Sequence, residues 1–168
     1  PETLRFNLID TLRKGVTARD VILTIIGKIG ANGANYKAME FAGPGLAGLS
    51  VSDRFVLCNL AVEAGAKTGL MPVDEVTLEY LEAHGREPVA CYESDPDAEF
   101  AEVYDIDLSE IQPVVAKPHF VDNLAPVSEV AGTKIQEAFL GSCSNGRLED
   151  LRLGAEVIKG KKVAEGVR

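Results

Sequence analysis

The chain has 168 residues, 46% of them apolar, with 16 glycines; this size and composition suit a globular protein with a buried core and exclude a disordered or fibrous one. A net charge of −9 argues against nucleic acid and anionic membranes as partners, because Lys and Arg dominate binding to both. The three cysteines, Cys58, Cys91 and Cys143, share no short spacing and make no disulfide framework, so a cytoplasmic setting is expected. No signal peptide is visible, and no apolar run approaches the roughly 20 residues that span a bilayer. Pro1 stands without an initiator Met and Arg168 directly follows a Val, so both ends look cut and the chain is expected to be part of something longer.

Thr17-Ala18-Arg19-Asp20 opens the first predicted helix, with Thr17 suited to the N-cap and Asp20 to the positive helix end. Val21, Ile22, Ile25, Ile26 and Ile29 then recur at helical spacing up to Gly30. Lys37 to Ala42 reads as a strand, ended by Gly43-Pro44-Gly45. That Gly-Pro-Gly lacks the Lys and the frame of a phosphate loop, so it reads as a turn. Ser50 to Gly69 is predicted as a second helix, apolar nearly all round through Phe55, Val56, Leu57, Cys58, Leu60, Ala61 and Val62, and therefore buried. Asp74 to His84 predicts a third helix, capped by Asp74 and stopped by Gly85. The acidic stretch from Glu93 to Glu102 reads as a solvated loop, and Val103 to Leu108 as a strand. Pro113, Pro118 and Pro126 punctuate a linker-like stretch, which places a domain boundary near Ile111 to Pro118. Ile135 to Leu140, a cysteine turn, and Leu148 to Ile158 then read as strand, turn and helix. This alternation predicts an α/β fold.

The densest chemistry lies in Gly141-Ser142-Cys143-Ser144-Asn145-Gly146-Arg147. A thiol between a strand and a helix N-terminus is favoured as thiolate, which can bind a metal or attack an electrophile. A small buried hydrophobe is the alternative reading. Arg147 offers a fork that binds carboxylates. Asn59 and Glu63, four residues apart, share one face of the second predicted helix and are its only strongly polar side chains between Phe55 and Ala66. If buried, Glu63 must be paired, hydrogen-bonded or protonated. The pair fits a general acid/base with an orienting amide, or a mutually satisfied polar pair in the core. His84 and His119 are isolated, Cys58 reads as core, Cys91 as structural, and a metal site using all three cysteines is weakly supported.

Three motifs in order along the chain carry a resemblance: Glu40-Phe41-Ala42-Gly43-Pro44-Gly45, Val56-Leu57-Cys58-Asn59-Leu60-Ala61-Val62-Glu63-Ala64-Gly65-Ala66, and the Cys143 run. With them the chain resembles the aconitase superfamily, most of all the large subunits of the 3-isopropylmalate dehydratase and homoaconitase branch. The resemblance implies three-layer α/β/α domains, with residues 1–112 as the second domain of a large subunit and residues 113–168 as a linker and the opening of the third. It implies that Cys143 is one of three cysteine ligands of a [4Fe-4S] cluster, that Asn59 and Glu63 are catalytic, and that Arg147 and Asn145 contact the substrate. Ser144 stands where the family usually has Thr, which keeps the hydroxyl. Arg147 suits the dehydratase branch, since aconitase itself usually has a serine there. The implied reaction interconverts 2-isopropylmalate and 3-isopropylmalate by dehydration and rehydration, in leucine biosynthesis, together with a small subunit that supplies a serine base. Homoaconitase, acting on a longer tricarboxylate, is the alternative enzyme, and a non-catalytic folding or interaction module is the alternative of another class. The family's second and third cluster cysteines come from a Cys-x-x-Cys motif that this sequence lacks, so the chain alone is expected neither to hold an intact cluster nor to turn over substrate.

Overall fold

The computed structural model describes residues 2–88 and 90–168. Its centre is a strand that the sequence pattern did not single out, β1 (Thr3–Ile9). Leu4, Phe6 and Leu8 alternate with Thr3, Arg5 and Asn7, the period-two signature of a strand with two unlike faces. The first three are fully buried. Around β1 lie β2 (Ala38–Ala42), β3 (Thr68–Leu70) and β4 (Glu102–Asp107), all parallel, in the order β3-β2-β1-β4. Phe6 pairs with Phe41 on one side and Tyr104 on the other. The three rings stack at centroid separations of 5.6 and 5.2 Å, an arrangement that adds to the burial of their area.

Helices α1 (Ala18–Ile29) and α2 (Val51–Leu60) contribute Val21, Ile22, Ile25, Ile26, Val56, Leu57 and Leu60 to one core with this face. The opposite face is polar. Arg5 bridges to Glu40 at 3.1 Å, Asn7 donates to Asp105 at 2.9 Å, and Ser94 from the acidic loop donates to Glu40 at 2.6 Å. The fold is α/β, as expected.

Most predicted boundaries have visible causes. Asp20 accepts the backbone N–H of Thr17 at 2.8 Å, which closes the start of α1, and Gly30 (φ 85°) ends it. Gly43 follows β2 at φ 95°, where an added Cβ would stand 2.6 Å from the Leu8 carbonyl oxygen. Only glycine fits this crossing, and a 3-10 turn, Pro44–Gly48, follows it. Helix α3 (Glu75–Ala83) starts at Asp74, which accepts from Thr77 N–H at 3.1 Å.

The second helix is a correction. It stops at Leu60, continues as a 3-10 turn over Ala61–Ala64, and ends at Gly65 in the left-handed conformation (φ 82°). Gly69 belongs to β3. The helix is not apolar all round either: Phe55 is 45% and Val62 65% exposed, while Arg54 is buried at 5%. Arg54 is held by donation to the carbonyls of Leu49 (3.2 Å) and Leu46 (2.7 Å), to Thr77 (2.9 Å), and to both carboxylate oxygens of Asp74 (2.5 and 2.7 Å). A buried cation is tolerated only when its donors are met in this way.

The proline-punctuated stretch folds as an antiparallel hairpin, β5 (Val114–Ala116) with β6 (Leu124–Pro126). It lies on α1: Val114 N–H donates to Asp20 at 3.0 Å, Ala31 N–H donates to Asp122 at 3.0 Å, and Leu124 fills the space over Gly27. Three helical segments follow, α4 (Val127–Val130), α5 (Ser142–Asn145) and α6 (Leu148–Ile158). The strand expected over residues 135–140 is absent. Its backbone bonds go to Arg168 alone, from Ala138 N–H (2.7 Å) and to Gln136 O (3.0 Å), and Phe139 is 82% exposed. A strand needs a ladder of successive partners, and among the described residues this one has the single residue Arg168.

Replacing Arg54 by Met strands two carbonyls and a carboxylate, so urea unfolding of Arg54→Met should show a loss of about 3 kcal/mol, the lower end for breaking a buried pair because Asp74 can rehydrate. Arg54 beside Asp74 holds its carboxyl below the ordinary value. A depressed folded pKa stabilises above the unfolded value and is lost on acidification, so stability should fall as pH drops below about 4. An acid limb that is unchanged in Asp74→Asn would contradict this assignment.

Candidate functional site

The outward face of α2 carries a ridge formed by Ser52, Phe55 and Asn59, each about one turn from the next. The chain from Cys143 to Glu149 runs antiparallel along it. Asn59 Nδ2 donates to Cys143 Sγ at 3.1 Å, the Arg147 guanidinium lies 4.8 Å from the Phe55 ring centroid, and Ser52 Oγ donates to Glu149 at 3.3 Å. Two motifs 84 residues apart thus meet at an amide–thiol contact. Glu63 lies one turn beyond Asn59, in the 3-10 turn.

Cys143 precedes α6 in a separate short turn, and its thiol meets Asn59. It sits within α5, a turn of four residues, and α6 starts after Gly146 and Arg147. The N–H of Arg147 is taken by Asp150 of α6 itself at 3.1 Å. Ser142 enters the turn at φ 71°, a conformation uncommon outside glycine, and an added Cβ at Gly146 would stand 2.5 Å from Ser142 O. Ser144 is buried and Cys143 is exposed. Arg19, from the first turn of α1, donates through Nη1 to Ser144 Oγ at 2.6 Å and to Asn145 Oδ1 at 2.5 Å. Sequence reasoning passed over Arg19, although a cation in the first turn of a helix opposes the helix dipole and in that sense asks for another reason to be there.

Glu63 is exposed, which corrects the buried-carboxylate expectation. Ala61 and Ala64 of the 3-10 turn point into the core, and Val62 and Glu63 are left outward. Among the described residues the Glu63 carboxylate makes no hydrogen bond, and the Arg147 guanidinium makes none either, its Nε being buried without a partner. Cys58 is half-buried, and burial pushes its thiol up to about 11. Cys91 is exposed, as are His84 and His119. Among the described residues no group of three or more His, Cys, Asp and Glu side chains could hold a metal ion. Cys143 therefore fits a single ligand position and no more. An open cleft on the polar face of the sheet, between Arg5, Glu40, Met71 and Ser94, has no lining residue in common with the Cys143 ridge.

Among known proteins the chain is 52% identical over 168 residues to the "Probable 3-isopropylmalate dehydratase large subunit" of Methanothermobacter thermautotrophicus, covering all of this chain and 40% of that protein. It is 48% identical to the "3-isopropylmalate dehydratase large subunit" of Acetivibrio thermocellus over 168 residues, and 48% identical to the "3-isopropylmalate dehydratase large subunit 1" of Archaeoglobus fulgidus over 169 residues, with the same coverage of 100% and 40%. The chain thus spans about 40% of the length of the relatives it matches. Residues 1–134 match the aconitase family (aconitate hydratase), so the chain belongs to the aconitase family.

Proposed function

We propose that this chain is the part of a 3-isopropylmalate dehydratase large subunit that presents one cluster-ligand thiolate beside a substrate-facing helix ridge. The observation that carries this is the Asn59–Cys143 contact at 3.1 Å, because it joins two motifs that the family places at one site. The reaction is the interconversion of 2-isopropylmalate and 3-isopropylmalate by loss and return of water, in leucine biosynthesis. The relatives' names as large subunits support a small subunit as partner, and three unpaired cysteines support a cytoplasmic setting. Residues 1–112 would form one α/β domain and residues 113–168 the link to, and opening of, the next. No helix among the described residues is long and apolar enough to cross a membrane.

In this reading Cys143 supplies one ligand of a [4Fe-4S] cluster whose other ligands come from outside the described residues. A bound cluster would supply a Lewis acid for the substrate hydroxyl. Glu63, exposed and with no side-chain hydrogen bond among the described residues, delivers a proton to the departing hydroxyl and takes it back on rehydration. Asn59 orients the thiolate and the substrate oxygen. Arg147, with its flat face on Phe55, turns unpaired N–H groups toward a substrate carboxylate, and Asn145 offers its amide NH2 because Arg19 occupies its oxygen. A homoaconitase reading differs in the acid bound, a longer tricarboxylate in place of an isopropyl-bearing dicarboxylate. Against a purely structural module stands the Arg147 guanidinium, which packs on Phe55 yet has no hydrogen-bond partner among the described residues.

In the complete two-subunit enzyme, Glu63→Gln should lower kcat by about 10²–10⁴-fold while KM moves by no more than a few-fold; a near-normal kcat removes Glu63 from proton transfer. The isolated 168-residue chain, reconstituted with iron and sulfide and desalted, should retain neither in stoichiometric amount. Retention of four irons per chain would show that Cys143 is not one ligand of a shared set.

A further inference from the structure

We propose that Arg19 is the positioning residue for Cys143: its guanidinium braces the Ser142–Asn145 turn so that the thiol meets Asn59. A four-residue helical turn lacks the length to persist alone, and this one carries a non-glycine residue, Ser142, at φ 71°, a conformation that persists only when its surroundings impose it. The surroundings here are few. Arg19 reaches the two residues that follow the cysteine, Ser144 at 2.6 Å and Asn145 at 2.5 Å, and these charge-assisted bonds are stronger than the amide–thiol contact they protect. The hydroxyl of Ser144 is buried and otherwise meets only Ser142 Oγ at 3.3 Å, so losing the shorter Arg19 bond leaves it under-satisfied at a cost.

Local helix physics gives no reason for Arg at this place, since the dipole of α1 disfavours a cation in its first turn. The neighbouring Asp20 gives the context. Its carboxylate closes the start of α1 and holds Val114 of the hairpin at 3.0 Å. The first turn of α1 therefore grips the later part of the chain twice, at the hairpin through Asp20 and at the cysteine turn through Arg19. The importance of this for catalysis rests on the reading of Cys143 as a metal ligand; the brace itself does not.

The test is site-resolved iodoacetamide labelling of the 168-residue chain without iron, with the rate at Cys143 expressed relative to exposed Cys91. Asn59→Ala should change this ratio by at least about twofold, the smallest effect expected between contacting groups. In an Arg19→Met background the same Asn59→Ala change should leave the ratio unaltered, and Arg19→Lys should restore part of the coupling. An Asn59→Ala effect of equal size with and without Arg19, or none in either background, overturns the proposal. Half-buried Cys58 reports folding in every variant. Should Arg19→Met expose it, Asn145→Ala removes an acceptor of the same brace without touching α1, and is expected to abolish the coupling as well. Full iron retention by Cys143→Ser in the complete enzyme would sink the metal reading and leave the labelling result untouched, so the two failures are distinguishable.

Discussion

The structure depends on one buried cation. Arg54 sits on the inner side of α2 and ties together the carbonyls of Leu46 and Leu49, which precede the helix, and the Asp74–Thr77 start of α3. Taking a guanidinium out of water is costly, and the cost is offset only because its donors meet five acceptor contacts in fixed directions. Those directions set the roll of α2 about its axis. With Arg54 turned inward beside Val56, Leu57 and Leu60, Phe55 and Asn59 face outward and Ser52 reaches the same side. The ridge that receives the Cys143 segment is therefore the far side of the Arg54 cluster.

Three elements share the work at the site. Helix α2 supplies Asn59, the cysteine turn supplies the thiol, and α1 supplies Arg19. Of the contacts among them, the stronger are the charge-assisted bonds of Arg19 to Ser144 and Asn145. The Asn59–Cys143 and Ser52–Glu149 bonds are exposed, where such interactions contribute little to stability. Precision comes instead from rigid supports: α1 and α2 each pack an apolar face on the sheet, so the groups projecting from their outer faces hold nearly fixed separations.

Elements whose ends carry chemical signals were legible in the sequence. Thr17 and Asp20 announce α1, Asp74 and Gly85 bracket α3, and the apolar spacing from Leu148 marks α6. The overlong second helix arose because Ala61, Val62 and Ala64 extend an apolar pattern past Leu60; the left-handed Gly65 was the stop signal available. Residues 135–140 have the composition of a strand, but composition cannot supply the neighbour a strand needs. Strand β1 was missed despite its alternation, since a run of only three alternating positions, Leu4, Phe6 and Leu8, makes a faint signal. A buried Arg54 looks like any surface Arg in a pattern, and nothing local distinguishes an exposed from a buried Glu63. The meeting of Asn59 with Cys143 lies beyond any periodicity and was visible only through the order of the motifs.

The polar rungs on the back of the sheet carry a consequence for the centre of the fold. A slip of β1 by one residue would turn Leu4, Phe6 and Leu8 to solvent and push Arg5 and Asn7 into the aromatic row. The Arg5–Glu40 and Asn7–Asp105 pairs fix the same alignment independently on both neighbours, β2 and β4. The central strand is thus keyed twice, by greasy teeth on one face and by charged and amide teeth on the other. A purely apolar back face would hold the sheet as firmly but leave its alignment to a single key.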